Sequence, residues 1–571
     1  MFHSPLNNVS FQIFKYSIPQ ILSYSIPQLL NNMPSKLQVR LPLLFALTLA
    51  IGMFIGQQLP QSGRAVRFIP GTAAGKNNGP FDEILRYVEA RYVDSVDATA
   101  LQTKAVEYLL DQLDPHSVYI SPDEIKAVKE DMSGGFEGIG VEFLVVDDTI
   151  QIVSPLSGGP SEAAGILASD KLISINDTLV AGVKIENGAI FRKLRGAKGT
   201  PVQLGILRGK EKVLRSFTVL RDVIPIKSVE IAYMLDAHTG YLKINRFTDR
   251  TYQEFMEALR PLAEEKGLQN LVLDLRGNPG GYLNEATDLL GQLFPEGKLL
   301  VYTEGRTDAK RTYKSNGRAR FNIQNVSVLI DEGSASASEI VAGAIQDHDR
   351  GWIVGRRSYG KGLVQEQYPL NNGGGLRLTI ARYFTPSGRC IQRNYQKNDH
   401  YDEEELTRLR SGELIDSKKI KVADSTQYYT GQGRIVYGGG GIIPDVFIPF
   451  DTAYLNPYFT ELRRFLPQFV SRWMENQPRT ALPATLPQFL SEFSASPQML
   501  EALIQYAEKQ GVVRNPVQFT KCRYEICQQT EARVAKLLFG DEGLYAVLNR
   551  DDAAVQKALR LMQEGTPVAK K

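Results

Sequence analysis

The chain is poor in the residues that most often carry crosslinks, metals or catalytic protons. It has three cysteines in 571 residues, Cys390, Cys522 and Cys527. That is too few for a disulfide framework and of the wrong type for a zinc cluster. Cys522 and Cys527, in CRYEIC, either bridge locally in an oxidising compartment or stand as two independent thiols. Five histidines occur; none forms a pair at ligand spacing, and no phosphate loop is present, so neither metal nor nucleotide nor other cofactor is implied. The formal net charge of +3 is too small to argue for a nucleic-acid partner.

Acidic residues are missing before Asp82, and 23 residues between Arg40 and Arg64 carry no charge at all. Within them, LPLLFALTLAIGMFIG (41–56) is nearly all apolar, close to the roughly 20 residues that span a bilayer core as a helix. Lys36 and Arg40 precede it and orient that end to the cytoplasm. No Ala-x-Ala site and no cysteine follow, so the run reads as an uncleaved signal anchor rather than a cleaved signal peptide or a lipoprotein anchor. The bulk of the chain is expected at the periplasmic face of the inner membrane, or free in the periplasm if the anchor is cleaved. Before it, YSIPQIL and YSIPQLL repeat, and two Ile-Pro steps there forbid one continuous helix.

At roughly 150 residues per domain, the length suggests three or four units. We divide it into an anchor and linker (1–80), a helical segment (81–132), a strand-rich unit (133–222), a layered α/β core (223–451) and a helical tail (452–571). In the first helical segment, Ile84, Leu85, Val88 and Tyr92 share a stripe, and His116 falls in a turn with a structural role. From residue 133 the period switches to strands. Two, near 140–146 and 149–153, flank an Asp-Asp turn. In the core, NLVLDL and NVSVLI are buried strands, each leading through a turn into an amphipathic helix, the repeat of layered α/β structure with parallel pairing. The tail holds no chemistry-bearing cluster and is open to binding a partner or to self-association.

Three serines alternate with alanines in DEGSASASEI (331–340). Ser336 with Glu339 fits a capping box, and a well-capped helix needs nothing more. The same geometry also exposes a serine oxygen at a strand-to-helix turn, where the first helical N–H groups favour developing negative charge. A histidine base is unattractive. His348 lies twelve residues on along the same helix, about 18 Å away, and His3, His116, His238 and His400 lie in turns, termini or variable segments. In SYGKGLVQEQ, Lys361 stands between two glycines before a buried strand. Such a lysine is ordinarily surface decoration, but one held dry loses its charge preference and serves as a base. Gln365, four residues on, can hold the amine. For an oxyanion hole the N–H of Ala337 follows the nucleophile. Gly280 or Gly281, on a glycine turn at the end of a strand, supplies the second donor. Asp347 more often pairs structurally than orients the site.

The order of elements over 133–222, with SEAAGILASDKLISIND in place, resembles a PDZ domain. That likeness implies that Gly138, Ile139 and Gly140 offer N–H groups to a peptide's terminal carboxylate, and that the peptide adds as a strand alongside. Ser169 stands where the PDZ pattern usually has glycine. GSASASEIVAGAIQDHDRGWIVGRRSYGKGLVQ, together with DLRGNPGG, LRLTIARYFTPSGRCIQ and GGGIIPDV, resembles the carboxyl-terminal processing, or tail-specific, proteases over about 80–450. The resemblance implies a layered α/β protease core of ClpP/crotonase-like type and an inserted PDZ domain. By position it implies Ser336 as nucleophile, Lys361 as base and Gln365 as support, in a serine endopeptidase that takes protein substrates by their C-termini. The alternative is a non-catalytic peptide-binding adaptor on the same fold. Residues 395–430 depart from the family pattern as a charged insertion, and the tail after 451 lies outside its minimal core.

Overall fold

The computed structural model describes residues 79–564, apart from 133, 147, 157, 168–169, 210, 212, 396–400 and 423. The anchor expected at 41–56, His3, Ser169 and His400 lie outside the described residues. Among the described residues no helix is long and apolar enough to cross a membrane. Two compact units divide between Ala98 and Thr99. In the first, helix Pro80–Arg91 opens with proline and carries Asp82 and Glu83 in its first turn, which suits the positive end of the helix. It buries none of its own side chains, so the stripe of Ile84 and Tyr92 stays exposed.

In the second unit, NLVLD and NVSVLI have no polar face, so each must be covered on both sides. Both are inner strands. The sheet runs Val229–Met234, Thr239–Ile244, Asn270–Asp274, Asn325–Ile330, Gly351–Gly355, Val446–Phe447. The first pair is antiparallel and the rest are parallel. Side chains alternate across it. Leu271, Leu273 and Val328 meet Phe255, Leu259, Leu289, Ile340 and Ile345 from helices Thr251–Glu264, Leu283–Leu290 and Ala337–Asp347. Tyr241, Val272, Leu329 and Val354 face the other way and meet Val555, Ala558 and Leu561 of helix Ala553–Glu564. The end of the expected tail is therefore a layer of the α/β core, a correction to the division at 451. The sequence of that helix carried the apolar stripe but not its target.

A second sheet holds Val118–Ile120, Gly375–Phe384, Leu299–Glu304 and Arg311–Lys314, with Leu363–Pro369 also paired to Gly375–Phe384. Strands Gly135–Gly138 and Asp222–Pro225 pair antiparallel and close the ends of a separate body. That body is a sheet of Val141–Val146, Thr149–Pro155, Lys171–Ile175, Pro201–Leu207 and Arg215–Leu220 with helix Asn187–Leu194, and its own core includes Ile150, Leu172, Ile190 and Leu204. The helices Pro457–Glu475, Pro497–Lys509 and Pro516–Arg550 share another core. They touch the 141–146 strand where Gln468 Nε2 donates to the Val145 carbonyl at 2.7 Å. Cys522 and Cys527 are free thiols, the second of the two alternatives left open by the sequence.

Candidate active site

The strand Asn325–Ile330 ends in a turn that delivers three serines with three fates. Ser334 is fully buried, its Oγ donating to the Leu275 carbonyl at 2.8 Å. Ser338 is fully buried, its Oγ donating to the Asn278 carbonyl at 3.0 Å. Ser336 is half-buried. It holds φ 53°, ψ −114° at the N-cap of helix Ala337–Asp347. A serine in that conformation is strained and persists only where its surroundings over-determine it.

The surroundings do so from two sides. Asn278, on the glycine turn after Asn270–Asp274, accepts from Ala335 N at 2.9 Å, and its Nδ2 donates to the Ile244 carbonyl at 2.8 Å. Gly280 packs directly on the serine turn: a Cβ there would stand 2.7 Å from Ser336 Cβ and 2.8 Å from Ala337 N. The Gly280 N–H donates to Asn278 Oδ1 at 2.8 Å. It is thereby committed, which corrects the expectation that it is an oxyanion donor; Gly280 is there for close approach. The N–H groups of Ala337 and Gly281 have no acceptor among the described residues.

Glu339 supplies the other side. Its Oε2 accepts from Ser336 N at 2.9 Å and Lys361 N at 2.8 Å. Its Oε1 accepts from Ser358 Oγ at 2.5 Å and Gly360 N at 2.7 Å. Burial pushes this carboxyl up to about 7, against four donors that favour its charged form. Tyr383, fully buried, lies with its hydroxyl within hydrogen-bond distance of the carbonyls of both Ser336 and Lys361, which share its one proton. Serine and lysine segments are thus tied to each other through their main chains.

The Lys361 amine donates to Gln365 Oε1 at 3.0 Å, and Gln365 Nε2 donates to the His116 carbonyl. Burial, with the charge of Arg377, holds the amine below its ordinary 10.5; Glu339 and Asp114 oppose this. No hydrogen bond joins Lys361 Nζ to Ser336 Oγ among the described residues. His116 itself sits in an Asp114 turn, its N–H on Asp114 Oδ1 at 2.9 Å, with Nε2 3.0 Å from the Tyr401 hydroxyl. The structural role expected for it is therefore specific: its carbonyl anchors Gln365. His348 Nε2 is 2.6 Å from the Leu299 carbonyl, away from the serine. Asp347 pairs with Arg389 at 2.7 Å, a structural partner as expected. Asn278, Tyr383 and the full reach of Glu339 were not read from the sequence; only the capping-box spacing signalled any of them. No group of three or more metal-binding side chains occurs among the described residues.

In the separate body, Ile139 is buried in its core, and Gly140 has φ +68° with Ile224 Cδ1 2.9 Å from a built Cβ. The strand Val141–Val146 is an edge, paired on one side to Thr149–Pro155. Phe143 on it lies 5.3 Å, ring to ring, from Phe191 of helix Asn187–Leu194.

Residues 238–401 match Peptidase family S41, and residues 458–540 match a family of unknown function. The chain is 36% identical over 353 residues to a carboxy-terminal-processing protease of Bartonella bacilliformis, covering 60% of this chain and 78% of that protein. It is 34% identical over 333 residues to the carboxy-terminal processing protease CtpB of Bacillus subtilis, covering 57% and 68%. Among solved structures it is similar to a photosystem II D1 C-terminal processing protease at 25% identity, over 64% of this chain and 86% of that one, with a TM-score of 0.32.

Proposed function

This chain belongs to the carboxy-terminal processing proteases of peptidase family S41 and is a serine-type peptidase, and from that premise we propose that Ser336 is its nucleophile and Lys361 its general base. One observation carries the assignment. Of three serines in the turn, Ser336 alone is not fully buried and has a hydroxyl that donates to no acceptor among the described residues, and the carboxylate that receives its main-chain N–H also receives that of Lys361. A neutral amine has two hydrogens and one lone pair. With one hydrogen on Gln365 Oε1, the lone pair is left to accept the Ser336 Oγ proton as Oγ attacks a peptide carbonyl. The oxyanion forms against the N–H groups of Ala337 and Gly281. The protonated amine then passes its proton to the leaving nitrogen; water, deprotonated by Lys361, attacks the acyl carbonyl, and the amine returns that proton to Ser336 Oγ as the ester bond breaks. A donor of this kind is worth roughly 3 to 4 kcal/mol in the transition state.

The body over 133–222 is the PDZ module that receives the substrate's C-terminus. The N–H groups of Ile139 and Gly140, without an acceptor among the described residues, support a carboxylate there, and the strand Val141–Val146, paired on one side only and with Gln468 already on its Val145 carbonyl, supports strand addition. The apolar run at 41–56, behind Lys36 and Arg40, supports export with the protease on the periplasmic side.

The test is cleavage of an unfolded protein by wild type, Ser336→Ala, Lys361→Ala and Gln365→Ala, with binding of a C-terminal peptide measured in parallel. Both dyad variants should lose turnover and keep peptide binding. Full turnover by either one ends the assignment, and labelling of Ser336 by a serine-reactive phosphonate separates an enzyme from a peptide-binding adaptor.

A further inference from the structure

The charged insertion is the part of the core that the family pattern does not explain. Its helix Glu404–Ser411 packs on the loop that leads to Lys361. Arg408 is 3% exposed. Its Nη1 donates to the carbonyls of Arg357 and Ser358 at 3.1 and 2.9 Å, and its Nη2 to that of Tyr359 at 3.3 Å. Three successive carbonyls, ending one residue before Gly360, are thereby satisfied by one guanidinium. Its charge is met by Glu404 at 3.1 Å, while Glu413 takes Arg357 in a fork at 2.6 and 2.9 Å. Two arginines face two glutamates, so the buried cluster is balanced. A guanidinium is costly to bury unless its donors are used; here Nε donates to Glu404 and the Nη groups donate to the main chain of one loop.

The other end of the insertion reaches the far side of the lysine. The Tyr401 hydroxyl lies 3.0 Å from His116 Nε2, and the His116 carbonyl holds Gln365. The Tyr401 ring lies 3.7 Å from the Arg393 guanidinium, and Arg393 N donates to the Gly360 carbonyl at 2.9 Å. Tyr401 also receives Gln392 Nε2 at 3.4 Å, and Gln392 Oε1 accepts from Gly362 N at 2.8 Å. The residues on both sides of Lys361, and the glutamine that holds its amine, are each joined to Tyr401 through one intermediate residue, Arg393, Gln392 and His116 in turn.

We propose that residues 401–416 form a strap that positions Lys361, with Arg408 and Tyr401 as its two positioning residues. This rests on the reading of Lys361 as the base. The strap fixes Gly360–Gly362 so that the amine stays beside Gln365 and out of water. The charged and titratable groups around the amine are Glu339, Asp114, Arg377 and His116, and none of them belongs to the strap. Loosening the strap therefore leaves these charges in place and acts by letting water reach the amine. The charged amine is then favoured, and free base is reached only at higher pH.

The test is steady-state cleavage of a fluorescein-labelled, reduced and carboxymethylated protein by the full chain across about pH 6 to 10. Wild type, Arg408→Gln, Tyr401→Phe, Lys361→Ala and Glu405→Ala are compared, Glu405 being exposed on the same helix, and thermal unfolding is followed alongside. Arg408→Gln should lower kcat by about tenfold or more near neutrality with KM little changed. Its acid limb should move upward, so that activity recovers at the alkaline end. Tyr401→Phe should do the same to a smaller extent, and Glu405→Ala should match wild type. An acid limb that stays in place in both strap variants, or a loss confined to KM, overturns the proposal. If Arg408→Gln does not fold, Tyr401→Phe, which loses a single hydroxyl, decides. Turnover retained by Lys361→Ala brings down the dyad itself, whereas an inactive Lys361→Ala beside strap variants of wild-type profile brings down the strap alone.

Discussion

Ser336 and Lys361 give their main-chain N–H groups to the same oxygen, Oε2 of Glu339, at 2.9 and 2.8 Å. They are 25 residues apart in the chain, on opposite sides of a helix and a strand, and in the sequence only the family resemblance implied that they share a site. The shared carboxylate ties the two loops together, which is what the proposed proton transfer between their side chains requires.

Glu339→Gln should therefore be far more damaging than its size suggests. The amide nitrogen it introduces cannot accept, so at least one of the four donors on Glu339 faces another donor. Each buried donor left without an acceptor costs about 1–3 kcal/mol. Urea unfolding should show a loss of at least that size, and kcat should fall about tenfold or more with KM nearly unchanged. Wild-type kcat in this variant would mean that the two loops are aligned by something else.

Gly280→Ala and Gly277→Ala should separate close approach from backbone strain. Both glycines have positive φ, +92° and +69°, so each alanine carries about 1–2 kcal/mol of left-handed strain. At 277 a Cβ meets nothing within 4 Å, whereas at 280 it meets Ala335 O at 2.5 Å and Ser336 Cβ at 2.7 Å. Gly277→Ala should keep most of its activity and lose a little stability. Gly280→Ala should displace the serine turn and lose cleavage, as assayed on an unfolded protein substrate.

His116→Gln tests the linkage of protonation to stability on the lysine side of the site. Burial, then the charge of Lys361, lowers His116 from 6.5 to about 4, with Asp114 opposing and Arg393 adding to the fall. Between those values the unfolded chain binds a proton that the folded chain does not. Its contribution to stability is thus complete above about pH 6.5 and is lost as pH falls toward 4. Urea midpoints measured through that window should drop in wild type and drop less in His116→Gln. The main-chain carbonyl that holds Gln365 is kept in the variant, so activity above neutrality should suffer less than in Gln365→Ala.

Much of this was legible because local rules and global packing agree. NLVLD and NVSVLI have no polar face and became inner strands; Ser336 and Glu339 have capping-box spacing and form its Glu339 contact. What escaped were interactions set by distance in space rather than in sequence. Asn278 reads as a turn residue, yet it wires the glycine turn to the serine turn. Arg408 reads as one charge among many in EEELTRLR, and its burial depends on carbonyls some fifty residues earlier. Gly280 was read as a donor because glycine turns often donate; here its N–H is used internally, and the absence of a side chain is what matters.

Helix Ala553–Glu564 shows the same limit, and its removal is the most direct test of the architecture. Its apolar stripe suits a tail that binds a partner as well as one that packs at home. In the fold it covers Tyr241, Val272, Leu329 and Val354, the face of the central sheet opposite the Ser336 helix. Arg276, on the glycine turn, reaches Asp552 at its start at 2.8 Å. Truncation after Asp552 should therefore expose an apolar sheet face and give aggregated protein, not a soluble protease with altered self-association. Leu561→Ala, at a position 3% exposed, should cost about 2–5 kcal/mol by urea unfolding, while the folded protein keeps its kcat. A soluble, active enzyme after that truncation would place the helix outside the core and return it to the role of a binding tail.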